Sequence, residues 1–182
     1  MAHIHIDQNI PGIRSLVLYR PDTGRILYQF VQTLLRGPSP LSEADRELLA
    51  AWVSFGNECR FCCNSHAAAA RYLYGDQAWI VDRVLNNEDL KSVKPLLRTL
   101  LIVAGQVRQS GSSVTAAAIE NARAAGATDR HIHDTVLIAA TFSLFNRYVD
   151  GLAAFTPSDQ EIYREMGLRM VQNGYVYPET SG

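Results

Sequence analysis

The sequence has no strong excess of either charge, no long apolar run and few cysteines. Its 17 basic and 18 acidic residues are mixed along the chain and leave a net charge of -1. A nucleic-acid-binding surface would need a basic excess, so composition argues against that class of partner. The longest apolar stretches, such as TVLIAATFSLF, fall well short of the ~20 residues of a membrane span. We therefore expect neither a nucleic acid nor a membrane as a partner.

The sequence also lacks targeting and repeat signals. The opening MAHIHIDQNIPG is polar and broken, which does not resemble a secretory signal, so we expect a cytoplasmic protein. That reducing compartment disfavours a permanent disulfide, and clustered cysteines there are more often catalytic or metal-binding. No repeat of solenoid period and no low-complexity linker interrupts the 182 residues. This length predicts a single domain with a substantial core.

Strand signals are scarce. SLVLY, at 15–19, is the one candidate strand, and it has no obvious partner. Elsewhere the apolar residues recur with helical spacing, for example in GRILYQFVQTLLRG. The predicted fold is therefore all-α, with seven or eight helices in one domain over 1–182. Within it we expect an N-terminal arm (1–20), a core (21–155) and a C-terminal helix and tail (156–182).

Several helix boundaries are marked by capping residues. Ser42 begins one predicted helix, with Asp45 three residues later as a variant of the capping box. Gly75 is the expected end of the helix that carries CNSHAAAARYLY. Pro95 is expected in the first turn of another. The remaining helices are predicted in QAWIVDRVLN, SVTAAAIENARAAG, TDRHIHDTVLIAATFSLFNRYVDG and SDQEIYREMGLRMVQ.

The stretch NECRFCCNSHAAAA contains all three cysteines of the chain. Cys59 and Cys62 form a C-x-x-C pair, and His66 follows Cys62 by four positions, which places both on one face of a helix. A histidine there is positioned to remove the thiol proton, and a nearby helix N-terminus also favours the thiolate, the nucleophilic form. Cys59, one turn earlier, is placed to attack an oxidised Cys62 and close a disulfide. The pattern therefore indicates a reversible dithiol cycle.

Two other interpretations of the cluster remain open. The cysteines could simply pack in the core, which is our interpretation of Cys63 because adjacent helical residues point ~100° apart. They could instead bind zinc, with His66 and a distant fourth ligand such as His131 or His133. For these two histidines we favour a polar position at a helix start or a hydrogen-bonded edge.

Two carboxylates are candidates for orienting His66. Glu58 precedes Cys59 directly, but it lies at the helix entry, where it would complement the helix dipole. Glu47 lies on the preceding predicted helix, and a hairpin of the two helices would bring it to the start of the next. Glu47 would then accept the proton of His66.

The combined spacing of Glu47, Cys59, Cys62 and His66 resembles the E-x11-C-x2-C-x3-H signature of the alkylhydroperoxidase D (AhpD-like) proteins. These belong to the carboxymuconolactone decarboxylase family. The segments LLRGPSPLSEADRELLAAWVS and FNRYVDGL are similar to peroxidase-related members of that group. The resemblance is strongest over 34–74 and weaker to about 155.

The resemblance implies an all-helical fold that assembles as a trimer, a hexamer or, in some members, a dimer. It also implies thiol-dependent reduction of hydroperoxides with no cofactor and no metal. By position, Cys62 is similar to the peroxidatic cysteine, Cys59 to the resolving one, and Glu47 with His66 to the proton relay. AhpD itself has a further histidine where this chain has Phe61, which implies a shorter relay.

We therefore predict an oxidoreductase, a peroxiredoxin-type thiol peroxidase that reduces a hydroperoxide and is restored by a dithiol protein reductant. The decarboxylases proper generally lack the dithiol, so the family name is a poor guide to the reaction. Asn146 and Arg147 are expected either near the site or in a polar seam between subunits. The alternatives are a zinc-binding structural module and a redox-responsive protein whose disulfide alters its assembly.

Overall fold

Nine α-helices and no β-strand make up the part of the chain that the computed structural model describes, namely residues 1–86, 90 and 93–178. The all-α prediction is confirmed, and the predicted number of helices was slightly too low. None of the described helices is both long and apolar enough to span a membrane. In chain order the helices are α1 (Ile13–Tyr19), α2 (Pro21–Arg36), α3 (Glu43–Gly56), α4 (Arg60–Tyr74), α5 (Trp79–Leu85), α6 (Pro95–Gln109), α7 (Ala116–Ala124), α8 (Asp129–Gly151) and α9 (Gln160–Asn173).

The predicted helix boundaries agree with the structure at the capping residues. The Ser42 hydroxyl accepts a hydrogen bond from the Asp45 amide at the start of α3. Gly75 follows α4 with φ of 54°, a left-handed conformation that glycine adopts without strain. Pro95 occupies the first turn of α6, where no amide hydrogen is required. Local side-chain chemistry thus sets these ends independently of tertiary packing.

The one candidate strand, SLVLY at 15–19, is helical and lies in α1. A short apolar run has no periodicity that separates a strand from a buried helix. A strand would need a partner for its backbone hydrogen bonds, whereas a helix satisfies its own. α1 buries Ser15, Leu16 and Val17, and this additional helix accounts for the higher count.

A helical hairpin of α3 and α4 forms the centre of the molecule. The chain reverses through Asn57 and Glu58, and Glu58 has φ of 62°, which is uncommon for a residue other than glycine. The Cys59 amide then donates to the Ser54 carbonyl oxygen at 3.0 Å, which closes the turn. This short connection makes the two helices antiparallel neighbours and fixes which side chains face one another.

The hydrophobic core has two parts. The larger packs α3 against α6 and α8, with fully buried Leu48, Leu100 and Ile138 at its centre. The smaller contains Cys59, Phe61, Cys62, Tyr163 and Met166, and joins the start of α4 to α9. The cysteine pair therefore lies in an apolar cluster at the edge of the main core.

The smaller core part depends on a glycine of the N-terminal segment. Gly12 has φ of 56°, and a Cβ added to it would lie 2.1 Å from a ring carbon of Phe61. Any side chain at position 12 would therefore displace that ring. The Gly12 amide also donates to the carbonyl oxygen of Phe155 at 2.8 Å, so the N-terminal segment is fixed against the chain beyond α8.

Candidate active site

Glu47 and His66 meet across the α3–α4 hairpin. Oε2 of Glu47 lies 2.6 Å from Nδ1 of His66, and the carboxylate is completely buried. The sequence predicted that a hairpin would bring these two side chains together, and the contact is present. A carboxylate can only accept hydrogen bonds, so this contact requires the proton to be on Nδ1. Nε2, on the far side of the ring, takes no part in this contact.

Glu47 receives two further hydrogen bonds at its other oxygen. Nη2 of Arg36 and the hydroxyl of Tyr175 both donate to Oε1 at 2.6 Å. Burial alone would raise the pKa of Glu47, but the neighbouring imidazole, guanidinium and phenol outweigh it, and the pKa is lowered. Burial, and then the charge of Glu47, raise the pKa of Tyr175 well above its usual value. The pair is therefore an ionised carboxylate with a protonated phenol.

Arg36 and Tyr175 are site residues that no pattern in the sequence predicted. Arg36 ends α2, and Tyr175 lies beyond α9, 109 residues after His66, where no spacing rule relates it to the cysteine motif. Its ring lies parallel to the His66 imidazole with centroids 6.1 Å apart, and Phe142 meets the same imidazole edge-on at 4.5 Å. These contacts fix the orientation of the imidazole ring.

Cys59 and Cys62 are neighbouring buried thiols. Cys59 is the N-cap of α4 and Cys62 lies in its first turn, and at most 4% of either residue is exposed. The hydrogen bond with Cys59, and then burial, raise the pKa of Cys62 well above that of a free thiol. No hydrogen bond among the described residues joins Cys62 to His66, although both line one cavity. The predicted approach of the His66 imidazole to the Cys62 thiol stays a prediction.

Asn146 of α8 extends the polar surroundings of the thiols. Its amide nitrogen donates to the Ser54 hydroxyl and its oxygen accepts from the Asn57 amide, both at 2.9 Å. Asn146 also lowers the pKa of Cys62, which partly offsets the larger opposing effects. Of the two predicted positions, Asn146 lies beside the site. Arg147 does not, because it is exposed and donates to the Ser143 carbonyl oxygen.

The other residues of the motif have different surroundings. Phe61 is buried against Tyr163, with ring centroids 6.2 Å apart, so the position that is histidine in AhpD contributes to packing here. Cys63 is half-buried, and burial raises its pKa to about 11. Glu58 is exposed in the turn before α4. Of the two candidate carboxylates, only Glu47 contacts His66.

The two distant histidines belong to the start of α8. His131 and Thr128 form a capping box, in which the Thr128 hydroxyl accepts from the His131 amide and the Thr128 amide donates to Nδ1 of His131. Nδ1 of His133 lies 2.9 Å from the Asp134 carboxylate. Within the described residues no three His, Cys, Asp or Glu side chains are grouped so as to hold a metal ion. The favoured interpretation of both histidines, as helix-start residues, agrees with these contacts.

A cavity of about 120 Å³ lies next to Cys62 and His66. Cys62, Ser65, His66 and Tyr175 line its buried side, and most of its remaining surface is apolar. A cavity needs ~10–15 Å³ to hold one water molecule, so this one has room for several waters or a small organic molecule. The arrangement provides a thiol pair, an oriented imidazole and space for a reactant next to them.

The sequence and the fold are both similar to those of known proteins. The sequence model of the Carboxymuconolactone decarboxylase family matches residues 21–88, which include the Glu47–His66 motif. A solved structure from Ralstonia eutropha JMP134, titled alkylhydroperoxidase AhpD core, an uncharacterized peroxidase-related protein, is 28% identical with a TM-score of 0.76. The similarity covers 87% of this chain and 81% of that one.

An uncharacterized peroxidase-related protein from Silicibacter sp. TM1040 has the same fold, with a TM-score of 0.74 and 24% identity. That similarity covers 85% of this chain and 79% of the other. No curated protein matches the sequence. The family match over 21–88, the shared fold and the E-x11-C-x2-C-x3-H motif agree, and together they support an AhpD-like member of the carboxymuconolactone decarboxylase family.

Proposed function

We propose that this protein is a thiol peroxidase that reduces organic hydroperoxides through a Cys59–Cys62 disulfide cycle. The observation that carries the proposal is the 2.6 Å contact between Glu47 and His66 beside the buried thiol pair. A buried carboxylate that fixes the proton of Nδ1 leaves Nε2 as the basic nitrogen, which is the arrangement a general base needs. The peroxidase-related names of the structural relatives support the same reaction class.

Cys62 needs this base because its pKa is raised. At neutral pH the thiol is protonated, whereas the thiolate is the nucleophile. In the proposal, His66 Nε2 accepts the Cys62 proton, and the cavity has room for a water molecule to carry it between them. The Glu47 carboxylate then stabilises the charged imidazolium. Asn146 favours the thiolate once it forms.

In the chemical steps, the Cys62 thiolate attacks the terminal oxygen of the hydroperoxide and the O–O bond breaks. The leaving alkoxide takes the proton from His66 and departs as an alcohol, and Cys62 becomes a sulfenic acid. Cys59 attacks the Cys62 sulfur, a disulfide forms, and the hydroxyl leaves with the Cys59 proton as water. Two thiols are oxidised while one hydroperoxide is reduced to alcohol and water. An external dithiol reductant returns both cysteines to thiols by exchange.

The partners of this cycle are a dithiol protein reductant and further copies of the chain. The homo-oligomer implied by the family resemblance stays a prediction. Exposed apolar side chains on α3, α6 and α8 support it, namely Phe55, Ile102 and Leu144, which are 42%, 47% and 52% exposed. Light scattering on the purified protein measures the number of subunits.

The test compares three single substitutions in the motif. Hydroperoxide consumption with a small dithiol reductant is measured for wild type, Cys62→Ser, Cys59→Ser and Cys63→Ser. We expect no turnover by Cys62→Ser and most of the wild-type rate with Cys63→Ser, the matched control. In a separate reaction without reductant, Cys59→Ser is expected to consume about one equivalent of peroxide and to retain a sulfenic acid that can be trapped. Equal rates for wild type and Cys62→Ser would contradict the proposal.

A further inference from the structure

The cavity changes character from its buried side to its exposed side. Cys62 and His66, at most 8% exposed, lie on the buried side. Apolar side chains line much of the remaining wall, among them Leu27, Val31 and Met166. Pockets with apolar walls and a few polar groups usually position their ligand through those polar groups. The polar groups on the exposed side therefore bear on which hydroperoxide the cavity accepts.

Two arginines from different helices line the exposed side. Arg14 belongs to α1 and is half-buried, and Arg169 belongs to α9 and is exposed. Within the described residues neither guanidinium makes a hydrogen bond or an ion pair. Partial burial, and then the charge of Arg14, lower the pKa of Arg169, so the two cations are close enough to repel one another. Arg36, behind Glu47, is by contrast paired with a carboxylate.

The hydroxyl of Tyr28 is a third donor at the same place. The ring lines the cavity, and burial raises the pKa of Tyr28 to about 12 although Arg14 and Arg169 both oppose the rise. The phenol is therefore protonated at neutral pH. Among the described residues its hydroxyl has no hydrogen-bond acceptor. Two guanidinium groups and one phenol thus border the cavity without an acceptor.

We infer that the cavity takes amphiphilic hydroperoxides with an anionic headgroup, held by Arg14, Arg169 and Tyr28 while the peroxide group reaches Cys62. Guanidinium groups bind carboxylate and phosphate oxygens through paired, charge-assisted hydrogen bonds. The apolar walls suit the carbon chain between the headgroup and the peroxide. This inference rests on the proposed peroxidase function and adds the class of substrate.

The kinetic test uses one molecule with and without its charge. kcat/KM is measured for a hydroperoxy fatty acid and for its methyl ester, with wild type, the double variant Arg14→Gln/Arg169→Gln, and Arg164→Gln. We expect wild type to prefer the acid by roughly 10- to 100-fold, the size of a charge-assisted contact. The double variant is expected to lose that preference.

Arg164→Gln is the matched control, because Arg164 is on the same helix as Arg169 but pairs with Glu161 outside this cavity. It is expected to keep the wild-type ratio of acid to ester. A lysophosphatidate with the same hydroperoxy chain distinguishes a phosphate headgroup from a carboxylate, and a preference for either anion over the ester supports the inference. Equal kcat/KM for acid, phosphate and ester in wild type would overturn it.

A binding measurement separates this inference from the proposed reaction. Calorimetry with Cys62→Ser and the unoxidised fatty acid or its methyl ester needs no peroxide chemistry. Tighter binding of the acid that is lost on adding Arg14→Gln/Arg169→Gln supports the anion site even if peroxidase turnover is absent. Equal affinity for acid and ester, together with normal turnover by wild type, would reject the anion site and leave the peroxidase function intact.

Discussion

The charged groups near the two ends of the cavity differ in whether they have hydrogen-bond and ion-pair partners. Behind the buried side, where His66 and Tyr175 line the cavity, the Glu47 carboxylate accepts hydrogen bonds from Arg36, His66 and Tyr175 at 2.6 Å each. On the exposed side, Arg14 and Arg169 have no such partner within the described part of the chain. The carboxylate is completely buried, while the arginines reach solvent.

This difference separates charges that hold the site together from charges that remain available. A buried ion without partners is strongly destabilising, so the Glu47 cluster must be complete in the folded protein. A solvated guanidinium can stay unpaired at little loss of stability. Substitutions on the buried side are thus expected to change stability, and those on the exposed side to change substrate preference.

The strongest test of the comparison is Glu47→Gln. This change keeps the shape of the side chain but leaves the Arg36 guanidinium, whose side chain is only 8% exposed, without its closest counter-charge. We expect the free energy of unfolding to fall by about 3–5 kcal/mol, the usual result of breaking a buried pair. Chemical denaturation measures it. Glu43→Gln is the control, since Glu43 lies 3.4 Å from the same arginine but is 40% exposed, and we expect a loss below ~1 kcal/mol.

The effect of Glu47→Gln is also expected to depend on pH. The pKa of Glu47 is lowered in the fold, so its contribution to stability is complete above the unfolded-state pKa of ~4.3. It disappears as the pH falls through the lower folded-state pKa. The difference between wild type and Glu47→Gln is therefore expected to shrink with acidification. A constant difference from pH 7 to pH 3 would contradict the ionised, buried carboxylate.

Tyr175→Phe removes one donor to Glu47 and leaves the rest of the cluster in place. A hydrogen bond to a charged group contributes about 1.5–3 kcal/mol, so we expect a loss of stability of that size. Tyr177→Phe is the matched control, because the Tyr177 hydroxyl donates to the neutral carbonyl oxygen of Val17. Its expected effect is about 0.5–1.5 kcal/mol. Equal losses in the two variants would mean that the charge of Glu47 adds nothing to the Tyr175 bond.

The reactivity of Cys62 is expected to increase with pH. Its pKa is raised, so alkylation should accelerate about tenfold per pH unit through pH 8, where an ordinary thiol of pKa ~8.5 begins to level off. Mass spectrometry after reaction with iodoacetamide follows Cys62 in the Cys63→Ser background. A peptide with one cysteine is the reference. A plateau below pH 7 would show that the buried surroundings favour the thiolate already in the resting protein.

The smallest expected effect is that of Arg14→Gln/Arg169→Gln on stability. Neither side chain has a hydrogen-bond or ion-pair partner to lose among the described residues, and their mutual repulsion is relieved. We expect a change within about 0.5 kcal/mol, or a slight gain. Thermal and chemical unfolding of the double variant measure it. A loss comparable to that of Glu47→Gln would mean that both sides of the cavity have a structural role.

The sequence predicted those features that depend on neighbouring residues. Helix ends at Ser42, Gly75 and Pro95 follow from capping chemistry within a few positions. The Glu47–His66 contact was predictable because a short turn between two helices makes them antiparallel neighbours. The spacing of the motif then indicated which residues of the two helices would meet. The identity of α1 was not predictable, because a short apolar run has no helical or strand period and its partners are distant in sequence.

The rest of the candidate site depends on contacts between distant segments. Tyr175 reaches Glu47 from beyond α9, and Arg36 reaches it from the end of α2. Neither residue stands in a fixed spacing to the cysteines. The arginine pair has the same origin, since α1 and α9 each contribute one member. A single sequence contains no signal for such pairs until the helices are packed.

The contact between Gly12 and Phe61 constrains how this active site could be redesigned. Placing a histidine at position 61, as in AhpD, would exchange a ring that fills the space above Gly12 for a smaller polar one. A library that varies position 61 alone would therefore sample mainly loosened proteins and score them as inactive. Varying positions 12 and 61 together would test such a histidine properly, because a side chain at position 12 can then fill the space that the Phe61 ring leaves.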